Sequence, residues 1–592
     1  MAVNSFREDE QSKEVLKKVT LLRLFAYMKD YKKQIVAILF IMGIIIGVNV
    51  VNPILMRIAV DDYIKENNIN GLFVIGGLAV VINLVSRYCM KKRIIMMSRV
   101  SNKILMDIRQ ELYEHLQKLS FNFFDKRPAG KILARVIGDV NSLKNVLNNS
   151  VITLIPDFVT IIVVLIIMFI MNVRLALGAM AFLPLLVAGM YYIQTRAHKR
   201  WQIFRKKNSN LNAYTHETFS GVRVVQSFTA EGYTSDTFKG LLDEHQQSFI
   251  SAIKLNNFFW PMVEVSWGIG SAIVYFIGVR LIGSEAITSG TLIAFSAFIG
   301  MFWQPIMNLS NFYNQLITNV AGAERIFEIL DTEPDIKDVN EAKIMPTIHG
   351  QVTFDHVTFG YEDHIKVLED VSFEIKKGET IALVGPTGAG KTTIVNLLSR
   401  FYDINEGIIK IDGVDIKEVT IESLRSQMGI MTQDTFLFTG SIKDNIRYGK
   451  LDATDEEIIE AAKSVHAHEF IMKLDDGYDT KVNERGTKLS VGQRQLIAFA
   501  RTLLSKPKIL ILDEATSSID THTERLVQQG IEALLQDRTS FVIAHRLSTI
   551  QKADRIFVVD HANILESGTH EDLLQAQGIY YNLYMAQFEA IS

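Results

Sequence analysis

Apolar positions along this chain follow two regimes. From about residue 34 to residue 316 they gather in long runs, at about 34–60, 71–90, 150–172, 174–195, 257–283 and 288–316. Each run is long enough for a helix that crosses roughly 30 Å of hydrocarbon. After about Gly350 the runs shorten, and β-branched stretches alternate with helical periods and glycine turns, which predicts a soluble α/β region. The polar segments between the long runs are unequal. The segment between the second and third runs is rich in Lys and Arg, among them Lys91, Lys92, Arg93, Arg99, Lys103 and Arg109. A second basic excursion, about 196–256, separates the fourth run from the fifth. The opposite connections are short, with one lysine between Asp61 and Asn70 and none between Gly283 and Ile287. This charge asymmetry sets both excursions, the N-terminus and the C-terminal region on the cytoplasmic side of a six-span arrangement.

The excursions read as helical. Ile104 to Leu119 keeps an apolar stripe, and Phe123-Phe124-Asp125-Lys126-Arg127-Pro128-Ala129-Gly130 predicts a turn, with Pro128 and Gly130 as the breakers. Ala213 to Gly221 predicts another break. A helix–turn–helix arm of this kind is able to reach a cytoplasmic motor; a basic tether held near anionic lipid is the alternative. The first 33 residues are polar, so no removable secretory signal is expected. Leu21, Leu24, Phe25 and Met28 share one helical face opposite Arg23, Tyr27 and Asp30, as in a helix lying along a membrane surface before the first span.

Composition narrows the classes further. A net charge of −3 argues against a dominant nucleic-acid role, and the six runs exclude a soluble DNA-repair or translation ATPase. Cys89 is the only cysteine, which rules out an intramolecular disulfide framework and a cysteine-rich metal site. In the fifth run Trp260, Glu264, Trp267 and Ser271 share one helical face. A carboxylate there either faces a transport cavity, where the indoles would hold a cation, or hydrogen-bonds a neighbouring helix.

The densest chemistry lies at Gly385-Pro386-Thr387-Gly388-Ala389-Gly390-Lys391-Thr392, after an apolar strand-like run (Thr380 to Val384) and before a helical one starting at Thr393. Glycines let several amides converge on one phosphate chain at a helix N-terminus, Lys391 reaches the β- and γ-phosphates, and the Thr392 hydroxyl ligates Mg²⁺. Average residue usage gives about 0.02 chance matches in a chain of this size, which favours nucleotide binding over a bare glycine turn. A second strand, Lys508 to Leu512, ends in Asp513-Glu514, placed to position Mg²⁺ and to orient or deprotonate water. A third, Ser540 to Ala544, ends in His545, which is placed to contact the γ-phosphate, with a structural histidine as the alternative.

Leu489-Ser490-Val491-Gly492-Gln493-Arg494-Gln495 completes a pattern. The order phosphate loop, Gln433, signature, acidic strand end and histidine resembles the ATP-binding cassette (ABC) superfamily over about 350–585, and the six spans extend the resemblance to an ABC exporter half-transporter. The fold class it implies is an α-helical membrane domain, with six spans and long cytoplasmic helical extensions, plus an α/β P-loop ATPase domain. Expected domains are 1–325 (membrane, with the interfacial helix), 326–349 (linker), 350–585 (cassette) and 586–592 (tail).

The resemblance implies a role for each matching residue. Tyr361 stacks on adenine, Thr393 joins the nucleotide site, Gln433 senses Mg²⁺ and water, Glu514 is the general base, His545 the switch histidine and Asp520 the dimer-loop aspartate. Ser490, Gly492 and Gln493 face ATP held by a second chain, so one cassette cannot complete a hydrolytic site. Thr480 to Gly486 resembles the exporter-specific segment, with Asn483 where the family has Gly. Val491 also replaces a family glycine; it disfavours φ > 0 and adds a β-branched side chain beside the partner's γ-phosphate. That asymmetry points to a heterodimer, with a homodimer as the alternative. The implied activity is ATP- and Mg²⁺-dependent export of amphipathic, multidrug-type compounds across a bacterial plasma membrane. The alternatives are a lipid flippase and, from another class, an ATP-gated channel or regulator. Membrane lipid is a further expected partner; nucleic acid is not.

Overall fold

The computed structural model describes residues 16–149, 153–362, 364–432, 435–483, 486, 488–513, 521–544 and 546–588. They form two compact units. One comprises the chain up to Gln117 with Ala129–Thr332, the other Lys118–Pro128 with the chain from Glu333 onward.

The first unit is helical. Helices α1 (Leu16–Ala26), α2 (Lys32–Ile58) and α3 (Ile69–Lys118) come first, and α4 (Phe121–Asp125) belongs to the second unit. There follow α5 (Ala129–Ala134), α6 (Val140–Asn149), α7 (Ile155–Met171), α8 (Val173–Met180), α9 (Leu183–Ser220), α10 (Val222–Ser227), α11 (Glu231–Asn256), α12 (Phe259–Gly283) and α13 (Ser289–Leu330). Among the described residues, five helical stretches are long and apolar enough to cross a membrane: Val19–Ile64, Ile69–Lys118, Val173–Ser220, Pro261–Gly283 and Ser289–Ile306. The remaining expected span is the shorter apolar helix α7, whose 17 residues rise about 26 Å, at the lower limit for spanning.

Span and excursion are continuous in α3, whose 50 residues extend about 75 Å. Beyond its apolar part Met97, Val100, Ile104, Ile108, Leu112 and Leu116 are buried at helical spacing, so packing carries the helix past the hydrocarbon. Both expected breaks occur, each over only part of its predicted segment. Helix α9 runs through Ala213–Ser220 and turns only at Gly221; the Thr215 hydroxyl donates back to the Leu211 carbonyl at 2.7 Å, so the polar residues there fit the helix. Gly130 lies inside α5, and the chain breaks at Lys126–Pro128, just before it.

Helix α1 is anchored on both its faces. Leu24 and Met28 are buried. Arg23 pairs with Asp331 at 2.5 Å and lies 4.5 Å from the Phe327 ring centroid, while the Tyr27 hydroxyl donates to Glu111 at 2.6 Å. Deeper in the unit, Phe295, Phe298, Phe302 and Trp303 of α13 form a core with Val164 and Met168 of α7 and Val274 of α12.

The second unit holds strands β1 (Val352–Phe359), β2 (Leu368–Ile375), β3 (Thr380–Val384), β4 (Glu406–Ile411), β5 (Val414–Asp415), β6 (Met428–Met431), β7 (Gly440–Ser441), β8 (Lys481–Val482), β9 (Ile509–Asp513), β10 (Thr539–Ile543), β11 (Arg555–Asp560) and β12 (Asn563–Gly568). Its helices include α14 (Lys391–Leu398), α15 (Ile421–Arg425), α16 (Ile442–Arg447), α17 (Asp455–Ser464), α18 (His468–Ile471), α19 (Val491–Leu504) and α20 (Thr521–Leu535). Strands run β12-β11-β3-β10-β9-β6 in the main sheet and β2-β1-β4-β5 in a four-stranded one. Strands β3, β9 and β10 are buried almost throughout. That burial on both faces accounts for their unbroken apolar sequences.

Candidate functional site: the phosphate loop and its neighbours

Strand β10 runs parallel between β3 and β9, and Ile543 is in register with both Leu383 and Asp513. The loop after β3 and the acidic end of β9 therefore emerge at one carboxyl edge of the sheet, where open α/β sheets bind ligands. Gly385, Gly388 and Gly390 have φ of +149°, +86° and +106°. At Gly385 an added Cβ would meet the Val559 carbonyl oxygen at 2.1 Å, so the turn has no room for a side chain. Pro386, Thr387 and Gly388 form the exposed rim, with Ala389 half-buried beneath them.

Helix α14 starts at Gly390 with no side-chain cap, so its first-turn amides are free for an anion. The Lys391 ammonium is buried and donates to the carbonyls of Gly385 at 2.7 Å and Pro386 at 2.8 Å. Burial lowers its pKa, and the nearby Asp513 charge opposes that shift. Thr392 is exposed and Thr393 buried. This cradle fits a nucleotide's phosphates: uncapped amides, a turn at Gly385 without room for a side chain, and a cation held by carbonyls.

The Tyr361 hydroxyl shares a 3.1 Å hydrogen bond with Thr393, which ties the expected adenine platform to the loop's own helix. Its ring is 41% exposed, leaving a surface for a planar base. Tyr402 meets that ring edge-on at 5.0 Å. Its hydroxyl donates to Asp125 of α4. Burial, then that bond, raises the Tyr402 pKa, so the hydroxyl stays protonated. Helix α4 is also held by Phe121, edge-on to Phe401 at 4.6 Å, and Asn122 donates to Asp335 at 2.9 Å. Tyr402 belongs to no motif, and only the fold brings it to Tyr361.

The signature turn is built differently. Ser490 caps α19, its hydroxyl accepting from the Gln493 amide at 3.2 Å while the Ser490 amide donates to the Gln493 side chain at 2.9 Å. The Ser490 O–H remains a donor, and Gly492 is buried. Val491 is the first residue of α19 and has no positive φ. The expected backbone strain is therefore absent, because a first helical position takes helical φ in any residue. Only the side chain distinguishes it from glycine.

Gln433, Glu514, Asp520 and His545 lie outside the described residues, as do Glu484 and Arg485 of the exporter-like segment. In α12, Glu264 is exposed, and no hydrogen bond ties it to another described residue. Trp267 is 46% exposed; Ser271 is half-buried, and the Trp260 side chain is outside those described.

Residues 35–306 match the family described as ABC transporter transmembrane region, and 368–517 the one described as ABC transporter. An uncharacterized ABC transporter ATP-binding protein, YknV of Bacillus subtilis (strain 168), is 45% identical over 96% of this chain and 94% of its own. The ATP-dependent lipid A-core flippase of Syntrophus aciditrophicus (strain SB) is 39% identical over 90% of this chain and 89% of its own. A bacterial Atm1-family ABC exporter solved with ATP bound superposes with a TM-score of 0.79 at 29% identity, covering 94% of this chain and 98% of that one.

Proposed function

This chain belongs to the ABC transporter family, as an exporter-type half-transporter whose ATPase is coupled to transport, and from that premise we propose that it exports amphipathic, multidrug-type compounds across a bacterial plasma membrane. The reading rests above all on one combination: apolar spanning helices joined in a single chain to a strand–loop–helix with uncapped amides.

In this reading backbone N–H groups of the loop, those of Gly388 and Gly390 among them, wrap the phosphates with the first-turn amides of α14, and Lys391 exchanges the Gly385 and Pro386 carbonyls for phosphate oxygens. Tyr361 supports adenine, with Thr393 fixing its hydroxyl. Thr392, Asp513 and Gln433 hold Mg²⁺, which when bound neutralises phosphate charge. Glu514 accepts the proton of the attacking water, and His545 steadies the γ-phosphate end of the site. Ser490, Gly492, Gln493 and Asp520 serve the nucleotide of the opposite cassette.

The exporter architecture implies a dimer, and a heterodimer is the form we favour, because Val491 departs from the family signature. Phe219, Val224 and Phe228, at the tip joining α9 to α11, are 73%, 60% and 79% exposed, which supports docking onto another chain. The N-terminus and the ATPase unit lie in the cytoplasm in this reading, as the basic excursions suggest. A lipid flippase is the second reading, supported by the relative named as one.

The test is reconstitution of the native complex in liposomes after its subunits are identified by mass spectrometry. Mg²⁺- and ATP-dependent accumulation of amphiphilic dyes, without equivalent movement of labelled lipid, is the expected result. Lipid movement alone would favour the flippase, and conductance poorly coupled to ATP would overturn both.

A further inference from the structure

At the carboxyl ends of β6, β9 and β10, where α19 and α20 add their own side chains, the ATPase unit holds a cavity of about 20 Å³. Among the described residues its walls are apolar except at Gln495, Asp513 and Arg546. Arg546 follows β10 by three residues, and Asp513 ends β9. Gln495 ends the signature run, two positions beyond Gln493, and takes no part in the capping box.

The Gln495 side chain has another use. The residue is 7% exposed, and its Oε1 is buried with no hydrogen-bond partner among the described residues. A buried acceptor left unpaired is costly, and ordered water is the usual remedy. The cavity has room for one molecule, since a water needs about 10–15 Å³ measured in this way. Its polar walls also match one water in hydrogen-bonding capacity. Gln495 Oε1 and the Asp513 carboxylate are acceptors, enough for both water protons, and the Arg546 guanidinium is a donor for the oxygen. An apolar occupant would leave the Oε1 unpaired.

We propose that this cavity holds one ordered water and that Gln495, acting through it, is a positioning residue for Asp513. The water fixes the carboxylate from within the fold, as outer partners fix the ligands of a metal. The proposal rests on the reading of Asp513 as a Mg²⁺ ligand and deepens it by naming what orients that ligand.

The experiment uses the native complex loaded with β,γ-imido-ATP and freed of excess nucleotide. Mn²⁺ stands in for Mg²⁺ and is titrated in, with unbound Mn²⁺ read by electron paramagnetic resonance. Gln495→Met keeps the length of the side chain and removes the acceptor; it should weaken Mn²⁺ binding at least about 5-fold. Val527→Ile, on the α20 wall, puts a methyl group into the water's space and should weaken it at least about 3-fold. Nucleotide affinity in EDTA should stay within about 2-fold of the parent in both, which separates metal positioning from general damage and identifies folded protein. Ile531→Val, on the same wall, enlarges the cavity and keeps the water. It should lower the thermal midpoint while Mn²⁺ binding stays within about 2-fold of the parent. If Gln495→Met does not fold, Val527→Ile decides alone. The proposal fails if either folded variant binds Mn²⁺ like the parent, or if Ile531→Val loses as much as they do. Asp513→Asn is scored separately. Should it bind Mn²⁺ like the parent, the metal reading of Asp513 falls; should it lose Mn²⁺ while Gln495→Met and Val527→Ile do not, only the role of Gln495 falls.

Discussion

Two helix starts in the ATPase unit meet the same deficit in opposite ways. The first turn of any helix leaves amides without partners. At α14 the preceding residue is Gly390, in the left-handed region and unable to cap, so the turn is completed only from outside. At α19 Ser490 and Gln493 satisfy each other's amides in a capping box, so the turn is partly completed within the chain before any ligand arrives. One start draws its partners from a phosphate chain; the other meets part of its own need and keeps a hydroxyl proton and the Val491 and Gly492 amides to offer. The phosphate loop should therefore tolerate almost no change, and the signature turn should respond by degrees.

The largest effects belong to the open start. Gly385→Ala should abolish nucleotide binding, because its Cβ would collide with the Val559 carbonyl. Lys391→Ala should lower both ATP affinity and hydrolysis, with turnover reduced about 10³-fold through loss of charge at the β- and γ-phosphates. Equilibrium binding of a fluorescent ATP analogue and phosphate release check both; wild-type affinity in either variant would break the contrast drawn here. Glu514→Gln separates holding from chemistry. It should keep nucleotide binding but slow turnover at this site at least about 10²-fold, and normal steady-state turnover by the purified complex would remove Glu514 from the role of base.

That contrast also sets what was legible in the sequence. The phosphate loop is written in glycines whose positive φ the fold requires, so spacing alone located it, and β3, β9 and β10 lie within a residue of the strands read from their apolar runs. The span positions were legible for the same reason, since hydrocarbon thickness sets a minimum length. The continuity of α9 was not, because hydroxyl residues that often break helices are accommodated by bonds to their own turn. Tyr402 was invisible for a different reason. Its contacts with Tyr361 and Asp125 join segments far apart in the chain, and one tyrosine has no pattern.

Tyr402→Phe carries a smaller expected effect. It keeps the ring against Tyr361 and removes only the hydroxyl that reaches Asp125. ATP affinity should stay within about 2-fold of wild type, while transport per ATP hydrolysed falls about 3-fold, the scale of one lost hydrogen bond. Parallel measurement of dye uptake and phosphate release gives the ratio. Unchanged stoichiometry would reduce that contact to packing.

The smallest change tests the capped start. Val491 takes a helical φ, so replacing it with glycine relieves no backbone strain; it removes a β-branched side chain and leaves the N–H in place. Val491→Gly should change folding stability by only a few tenths of a kcal/mol, about the propensity difference at a helix end. If the side chain crowds the nucleotide of the opposite cassette, the variant should alter the fraction of complex trapped with nucleotide and vanadate, while steady-state hydrolysis changes less than about 2-fold. Equal trapping before and after the substitution would mean that the valine is sterically neutral. The argument for two unlike sites would then lose its structural basis, and a fully active complex containing only this chain would dispose of an obligatory heterodimer altogether.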